Sequence, residues 1–328
     1  MSNILIYSHK ADVDGIGCVV LAKYAFTNVD YILCQNVYDL EEKFRQDMFN
    51  NLFDQYDAIY VTDLALNEPT LTMAYNNISI QKKLTIIDHH QRTIDDKLDK
   101  YDFVYVFVKL DERKTCATEL FYRYLYMKNF IRYSDASFDF VEHIREEDTW
   151  EWDNKTSFGI LSHDLSLLLN AIGIECFINS MVEKIKKNEI IKLTENEQAI
   201  IDEYKEKIAF ELNKYKNEIE FFVDEDGYKY GAIFAPYYLR NEIPELMRKE
   251  KKDISYFVSV NLDNTAYGQK SYRIINGNCD LNKIARKYGG GGHKESAHVL
   301  ITKEQREKLD NFSSQKQKLE YILNESYK

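Results

Sequence analysis

Three stretches of the chain share one design, a short apolar run that stops on carboxylates or imidazoles. Residues 3–8 (NILIYS) lead into His9, Asp12 and Asp14, residues 56–62 (YDAIYVT) lead into Asp63, and residues 83–87 (KLTII) lead into Asp88, His89 and His90. Short apolar runs of this kind suit strands buried on both faces. Between them lie helical patterns at 16–26 behind Gly15, at 40–53 and after Pro69. Strands alternating with helices predict right-handed βαβ units and a parallel sheet. Ligands gather at the carboxyl ends of such strands, and all three polar clusters fall on that edge.

Further along, residues 101–110 (YDFVYVFVKL) read as another strand and 115–130 as a helix that Thr115 caps. Residues 141–147 (VEHIREE) read as a helical turn that ends near Asp148 and the run TWEW. From 157 to 212 the pattern is helical, and 195–217 is charged with few breakers, as expected of a long connecting helix. A second α/β pattern starts near Glu220, with strands expected at 230–234, 254–262, 270–275 and 298–301 and helices at 241–250 and 281–287. Asn264 reads as the turn of a hairpin. The expected organisation is α/β throughout. A doubly wound, mainly parallel domain spans 1–190, a helical linker 191–219, and a smaller α/β domain with a C-terminal helix 220–328, with the active site in the cleft between the domains.

Composition narrows the classes. A net charge of −11 argues against wrapping long duplex nucleic acid by counterion release. Yet residues 228–300 hold twelve Lys/Arg against seven Asp/Glu, a local +5 that leaves −16 elsewhere. That asymmetry suits a small anionic ligand held near bound cations, or simply a solvated charged face. Five scattered cysteines without a C-x-x-C pair indicate reduced, mostly buried thiols rather than a disulfide framework or zinc knuckle. No long apolar run and no signal-like start occur, so a cytoplasmic chain without membrane association is expected.

The motifs carry the chemistry. In HKADVDG, two carboxylates two residues apart on a loop can converge on metal ions, or one can cap the helix that Gly15 lets turn in sharply. Asp63 alone could be a turn residue. Three strand ends on one edge together offer five or six oxygen and imidazole ligands without thiolate, which suits Mn²⁺ or a related borderline metal rather than structural zinc. The spacing of His143 and Glu146 reads as surface charge, and Trp150 and Trp152 read as packing. In YGGGGH, Gly290, Gly291 and Gly292 allow close backbone approach to an anion, and His293 could contact phosphate or base. Ser271 and Arg273 alternate along a strand, so they share a face on which a guanidinium could grip phosphate.

Taken in order, D-x-D-G, Asp63, D-H-H, Asp148 and G-G-G-G-H resemble the DHH phosphoesterase superfamily with its DHH-associated C-terminal domain, over essentially the whole chain. The stretches YSHKADVDGIGC, VTDLALNE, IIDHHQ, TCATELFYRYL, DTWEW and RKYGGGGHKESA look most like NrnB-type oligoribonucleases. The resemblance implies a manganese-dependent phosphodiesterase that degrades di- to pentaribonucleotides from the 3′ end to nucleoside 5′-monophosphates, with Co²⁺ or Mg²⁺ as other metals. It implies one metal on His9 and Asp12, a second on Asp14, His89 and Asp148, and Asp63 bridging both. Asp88 would orient His90, which would face the phosphate. Ser271, Arg273, the glycines and His293 would hold the substrate's other end. His298 stands where relatives have glycine and is expected to narrow the pocket floor. Alternatives sharing the chemistry are a phosphatase for 3′-phosphoadenosine 5′-phosphate and a phosphodiesterase for cyclic or linear dinucleotides. A non-catalytic nucleotide sensor is the reading from another class. The expected partners are short single-stranded oligoribonucleotides or dinucleotides, and the expected assembly is a monomer or homodimer.

Overall fold

The structure is a computed structural model that describes residues 2–154, 156–262, 268–277 and 279–326; the turn expected at Asn264 lies outside them. The chain divides into two units, Met1–Asp202 and Glu203–Lys328, and the boundary falls inside the long helix Glu195–Tyr215.

In the first unit, β1 (Asn3–His9), β2 (Asn28–Cys34), β3 (Ala58–Thr62), β4 (Leu84–Asp88) and β5 (Val104–Val106) form one parallel sheet of order β2-β1-β3-β4-β5. Alternate residues serve opposite faces. On one face Leu5, Tyr7, Ile59, Val61 and Ile86 join a core with Leu40 and Phe44 of the helix Val37–Phe49 and Leu71 of Glu68–Asn76. On the other, Tyr60 lies 5.1 Å from Phe121 of the helix Ala117–Met127. The sheet is therefore wound on both sides, as its apolar strands require. Its order reverses between β1 and β3, and the crevice there opens at the strands' carboxyl ends.

Several elements differ from the sequence reading. Residues 28–34 form a strand that the alternating polar residues of NVDYILC conceal, because an edge strand is only partly buried. The expected strand 101–110 is broken. Tyr101 and Phe103 turn into the core with ring centroids 5.6 Å apart, and only Val104–Val106 joins the sheet. Lys109–Leu110 (β6) instead pairs with Arg113–Lys114 (β7) across a two-residue turn in which Asp111 and Glu112 both have positive φ. The N-cap of Ala117–Met127 is Cys116 rather than Thr115, because the Thr115 hydroxyl is engaged by Glu119 at 2.7 Å. Residues 141–147 belong to a longer helix of 14 residues, Asp135–Asp148, whose N-cap is Ser134. Helices Ser157–Ile172 and Ile174–Lys186 complete the unit.

The second unit is a mixed sheet of β8 (Glu220–Val223), β9 (Lys229–Phe234), β10 (Tyr256–Asn261), β11 (Gly268–Ile274), β12 (Gly291–Gly292) and β13 (Ser296–Ile301), in the order β12-β13-β11-β10-β9-β8. One face packs Tyr256, Val258, Val260, Tyr272, Ala297 and Val299 under the helices Leu281–Lys287 and Gln315–Asn324. Four of the five free thiols are buried, as expected, and Cys176 is exposed. Among the described residues no helix is long and apolar enough to cross a membrane.

Phe44 is fully buried between Tyr7 at 5.5 Å and Phe53 at 4.8 Å. Phe44→Ala is expected to cost about 3–5 kcal/mol, read as a lowered urea midpoint of the first unit's transition. A cost below about 1 kcal/mol would mean that this aromatic cluster does not hold the helix Val37–Phe49 to the sheet.

Candidate metal centre

The loop after β1 is shaped by one glycine. Asp12 caps the helix Val13–Ala25 by accepting from the N–H of Gly15 at 3.3 Å. A Cβ on Gly15 would stand 2.1 Å from the His9 carbonyl oxygen, so no other residue lets the helix start this close to β1. The Ser8 hydroxyl donates to the Gly15 carbonyl at 2.7 Å and lies 2.7 Å from the Thr62 hydroxyl, which ties β1, the loop and β3 together. Asp14, fully buried in the first helical turn, accepts from the N–H groups of Ala117 and Thr118 at 2.7 Å each. These are free donors at the start of Ala117–Met127, where helix polarity favours negative charge.

Asp63 follows β3 with φ of 59°, a left-handed conformation uncommon for aspartate. Its carboxylate lies between two imidazoles, with Oδ2 3.3 Å from His9 Nδ1 and Oδ1 3.2 Å from His89 Nε2. His9 Nδ1 is also 3.1 Å from Asp12 Oδ2. His9 Nδ1 is buried yet makes no hydrogen bond of good geometry to either carboxylate.

His89 Nδ1 lies 3.0 Å from the Thr115 carbonyl, which can only accept, so Nδ1 carries the proton. Its Nε2 then faces Asp63 Oδ1 at 3.2 Å and Asp14 Oδ2 at 3.6 Å. Lone pairs would meet there unless a further proton or a metal cation lies between them. The electrostatics say the same. Burial pulls the His89 imidazole down, but Asp148, Asp63 and Asp14 outweigh it and hold the imidazole well above its ordinary range. Burial also opposes protonation of His9, which Asp12 and Asp63 raise well above normal. Asp14 is pushed up to about 6 by burial and then by Asp63, with His89 opposing. Asp148 is raised by burial, opposed by His89 and reinforced by Asp14 and Asp63. Four carboxylates, of Asp12, Asp14, Asp63 and Asp148, crowd two imidazoles, and a cation would relieve the repulsion that raises these pKa values.

Asp88 and His90 form a separate pair. Burial would raise Asp88, yet His90 and the Thr93 hydroxyl, which donates to its Oδ2, hold it well below the usual carboxylate range. His90 Nδ1 donates to Asp88 Oδ1 at 2.7 Å, which leaves Nε2 as the nitrogen directed elsewhere.

Among the described residues of the first unit, two groupings bring ligand atoms within 4.8 Å of one another: His9, Asp12 and Asp63, and Asp14, Asp63 and His89. A third, of Asp63, Asp88 and His90, is held by the Asp88–His90 hydrogen bond. Asp63 is common to all three. Oxygen and imidazole donors fit a divalent cation in each of the first two groupings, and the first also contains the unpartnered buried nitrogen of His9. Asp148, the last residue of Asp135–Asp148, comes 3.7 Å from His89 Nδ1, the nitrogen that faces away from Asp14 and Asp63, and joins neither grouping.

The second unit presents its expected residues differently. Ser271 is buried and its Oγ has no partner, as is true of Ser259 directly across β10 and β11. Arg273 is restrained, its Nε donating to Asn241 Oδ1 and its Nη1 to the Tyr272 carbonyl, each at 2.9 Å. Part of the glycine run serves the fold itself. A Cβ on Gly290 would meet the His298 carbonyl at 2.0 Å, and Gly291 and Gly292 pair with His298 and Ala297. The His293 N–H closes this turn on the Ser296 carbonyl at 2.6 Å, and the side chain of His298 is exposed.

His143 and Glu146 are not the surface charges that their spacing suggested. Both are buried: His143 Nδ1 lies 2.8 Å from the Ser162 hydroxyl, which donates to Glu146 at 3.1 Å, and the His143 ring stacks on Phe158 at 3.8 Å. Trp152 packs on His163 at 4.1 Å. Sequence reasoning missed the groups that orient the ligands: Thr93 for Asp88, the Thr115 carbonyl for His89, and the N–H groups of Ala117 and Thr118 for Asp14. Only Thr93, five residues after Asp88, was near enough in the chain to be found.

Gly15→Ala must shift His9 or the helix start by more than the loop can absorb. It is expected to lower Mn²⁺ affinity about 10–100-fold with unchanged far-ultraviolet circular dichroism, measured by calorimetric titration. Unaltered affinity would contradict the role given to this close approach.

Comparison with known proteins fits this edge. Residues 3–144 match the DHH family, N-terminal domain. The oligoribonuclease NrnB of Bacillus subtilis is 30% identical over 312 residues, covering 91% of this chain and 73% of that protein. Among solved structures, the DHH domain of a protein assigned to a family of ribosomal proteins has a TM-score of 0.62 at 15% identity, over 99% of this chain and 88% of that one. Exonuclease RecJ bound to manganese has a TM-score of 0.50 at 12% identity, over 98% and 95%. At such low identity these two speak to the fold alone. The relative matched over most of this chain, the matched domain and the carboxylates and histidines gathered at the β1/β3 crevice lead to one conclusion: the chain belongs to the DHH family of phosphoesterases and is a hydrolase of phosphoester bonds.

Proposed function

We propose that the protein is a manganese-dependent oligoribonuclease that degrades di- to pentaribonucleotides from the 3′ end to nucleoside 5′-monophosphates, with two ions at its metal centre. The observation that carries this reading is the position of Asp63, one carboxylate shared by two groupings of His and Asp ligands. The relationship to an oligoribonuclease supports the substrate class.

In this reading His9, Asp12 and Asp63 would hold one ion, and Asp14, His89 and Asp63, with Asp148 beside them, would hold the other. When bound, the ions supply water of lowered pKa and neutralise charge that develops on the phosphoryl oxygens. The chain's own residues fix the geometry. The N-terminus of Ala117–Met127 and the Thr115 carbonyl hold Asp14 and His89 in one orientation each, so little reorganisation remains for the reaction. His90, its Nδ1 anchored on Asp88, would meet a phosphoryl oxygen through Nε2, as a donor in the doubly protonated ring whose charge Asp88 balances. Ser271, Arg273, Gly290, Gly291, Gly292 and His293 are proposed as substrate contacts. Cations within the site stand in for a basic groove, which reconciles a net charge of −11 with an anionic substrate.

With Mn²⁺, purified protein is expected to convert 5′-labelled di- to pentaribonucleotides to mononucleotides through products that shorten from the 3′ end. Asp63→Ala should lower turnover at least about 10²–10³-fold. His90→Asn should lower kcat about 10²–10⁴-fold while Mn²⁺ affinity stays at the parent value. Undiminished turnover by Asp63→Ala would sink the shared-carboxylate site, and shortening from the 5′ end would sink the proposed direction.

A further inference from the structure

The second unit contains a cavity of about 170 Å³ on the sheet face that packs under Leu281–Lys287 and Gln315–Asn324, and none of the residues assigned to the metal centre or to substrate contact lines it. Tyr230, Tyr256, Tyr272 and Tyr288 wall it. The first two are register partners on β9 and β10, with ring planes 5° apart and centroids at 4.8 Å; Phe222 extends the stack at 5.5 Å, and Tyr272 follows Tyr256 at 6.2 Å. Four carboxylates, of Asp224, Glu225, Asp226 and Glu320, share the lining with a single lysine, Lys287. Lys287 pairs with Asp226 at 2.7 Å, and Asp224 accepts from the Tyr256 hydroxyl at 2.9 Å. The carboxylates of Glu225 and Glu320 make no hydrogen bond or ion pair among the described residues.

An unpartnered hydroxyl on a largely buried side chain also points to a ligand. Tyr272 is 2% exposed, and its hydroxyl makes no hydrogen bond among the described residues although the side chain lines the cavity. Burial and the neighbouring phenols of Tyr288 and Tyr230 raise its pKa, so it stays a neutral hydroxyl whose oxygen can accept. Phenolic oxygens and an acidic mouth favour one chemistry. An organic cation gains from the carboxylates and the phenolic acceptors, whereas a phosphate would meet uncompensated negative charge. The fold already places a cation over one of these rings. The Lys270 ammonium lies 4.9 Å over Tyr288 while it donates to the carbonyls of Ile322 and Glu325, outside the cavity lining.

We propose that this tyrosine-walled cavity binds an alkylammonium group, supplied by a free polyamine or by a lysine side chain. Calorimetric titration of the full chain with spermidine, acetyl-lysine methylamide, tetramethylammonium and the neutral 3,3-dimethylbutan-1-ol tests it. One equivalent of an ammonium probe should bind saturably and the alcohol should not. Saturable binding of spermidine alone assigns a polyamine, and of the lysine amide alone a protein side chain. Glu320→Lys, at an exposed helix position, and Tyr288→Leu should each weaken binding about tenfold or more with unchanged circular dichroism. Asp63→Ala in the other unit should leave it unaltered. The proposal is overturned by the absence of saturable ammonium binding, by equal affinity for the alcohol, by parent affinity in Glu320→Lys, or by binding that disappears with Asp63→Ala.

Discussion

Buried like charge is the constraint on which the first unit depends. Asp14, Asp63 and Asp88 are buried and Asp148 is partly so, close to the adjacent imidazoles of His89 and His90, and a carboxylate taken out of water is costly unless something compensates it. Each has a different answer. Asp14 is compensated by two N–H groups at a helix start, and Asp88 is balanced by His90 and Thr93. Asp63 has only imidazoles opposite it, one of them a buried nitrogen without a hydrogen bond. What remains uncompensated after every internal donor is used is the place for a cation.

The topology delivers these groups economically. In a sheet of order β2-β1-β3-β4-β5, the loops after β1 and β3 diverge to opposite sides and leave a crevice at their carboxyl ends. His9, Asp12 and Asp14 enter it from β1 and its helix, Asp63 from β3, and the DHH run from β4. Gly15 and the left-handed Asp63 are the two backbone features that allow loops this short to present their side chains inward. Thr115 lies just beyond the small β6–β7 hairpin, where its carbonyl fixes the tautomer of His89.

What could be read in advance followed from adjacency in the chain. A carboxylate or imidazole immediately after an apolar run must lie at that strand's end, so His9, Asp63, Asp88, His89 and His90 were placed by their neighbours alone. The fold class followed from the same runs. The rest depends on contacts between distant segments. Nothing near His143 indicates that Ser162, a residue of the next helix, draws it and Glu146 into the interior. Cys116 replaces Thr115 as a cap only because Glu119 engages the threonine hydroxyl, and cysteine is not a favoured cap. The half-polar edge strand Asn28–Cys34 lacks the pattern that marks buried strands. Gly290 and Gly292 read as an anion cradle, yet a close approach to residues 296–298 already demands glycine there.

The account rests on Asp63 joining two cation sites. Crystals grown with Mn²⁺ and measured at the manganese absorption edge address this directly. The account predicts two anomalous peaks in the first unit, one against His9 and Asp12 and one against Asp14 and His89, with the Asp63 carboxylate touching both. A single peak, or two peaks neither of which touches Asp63, would contradict it.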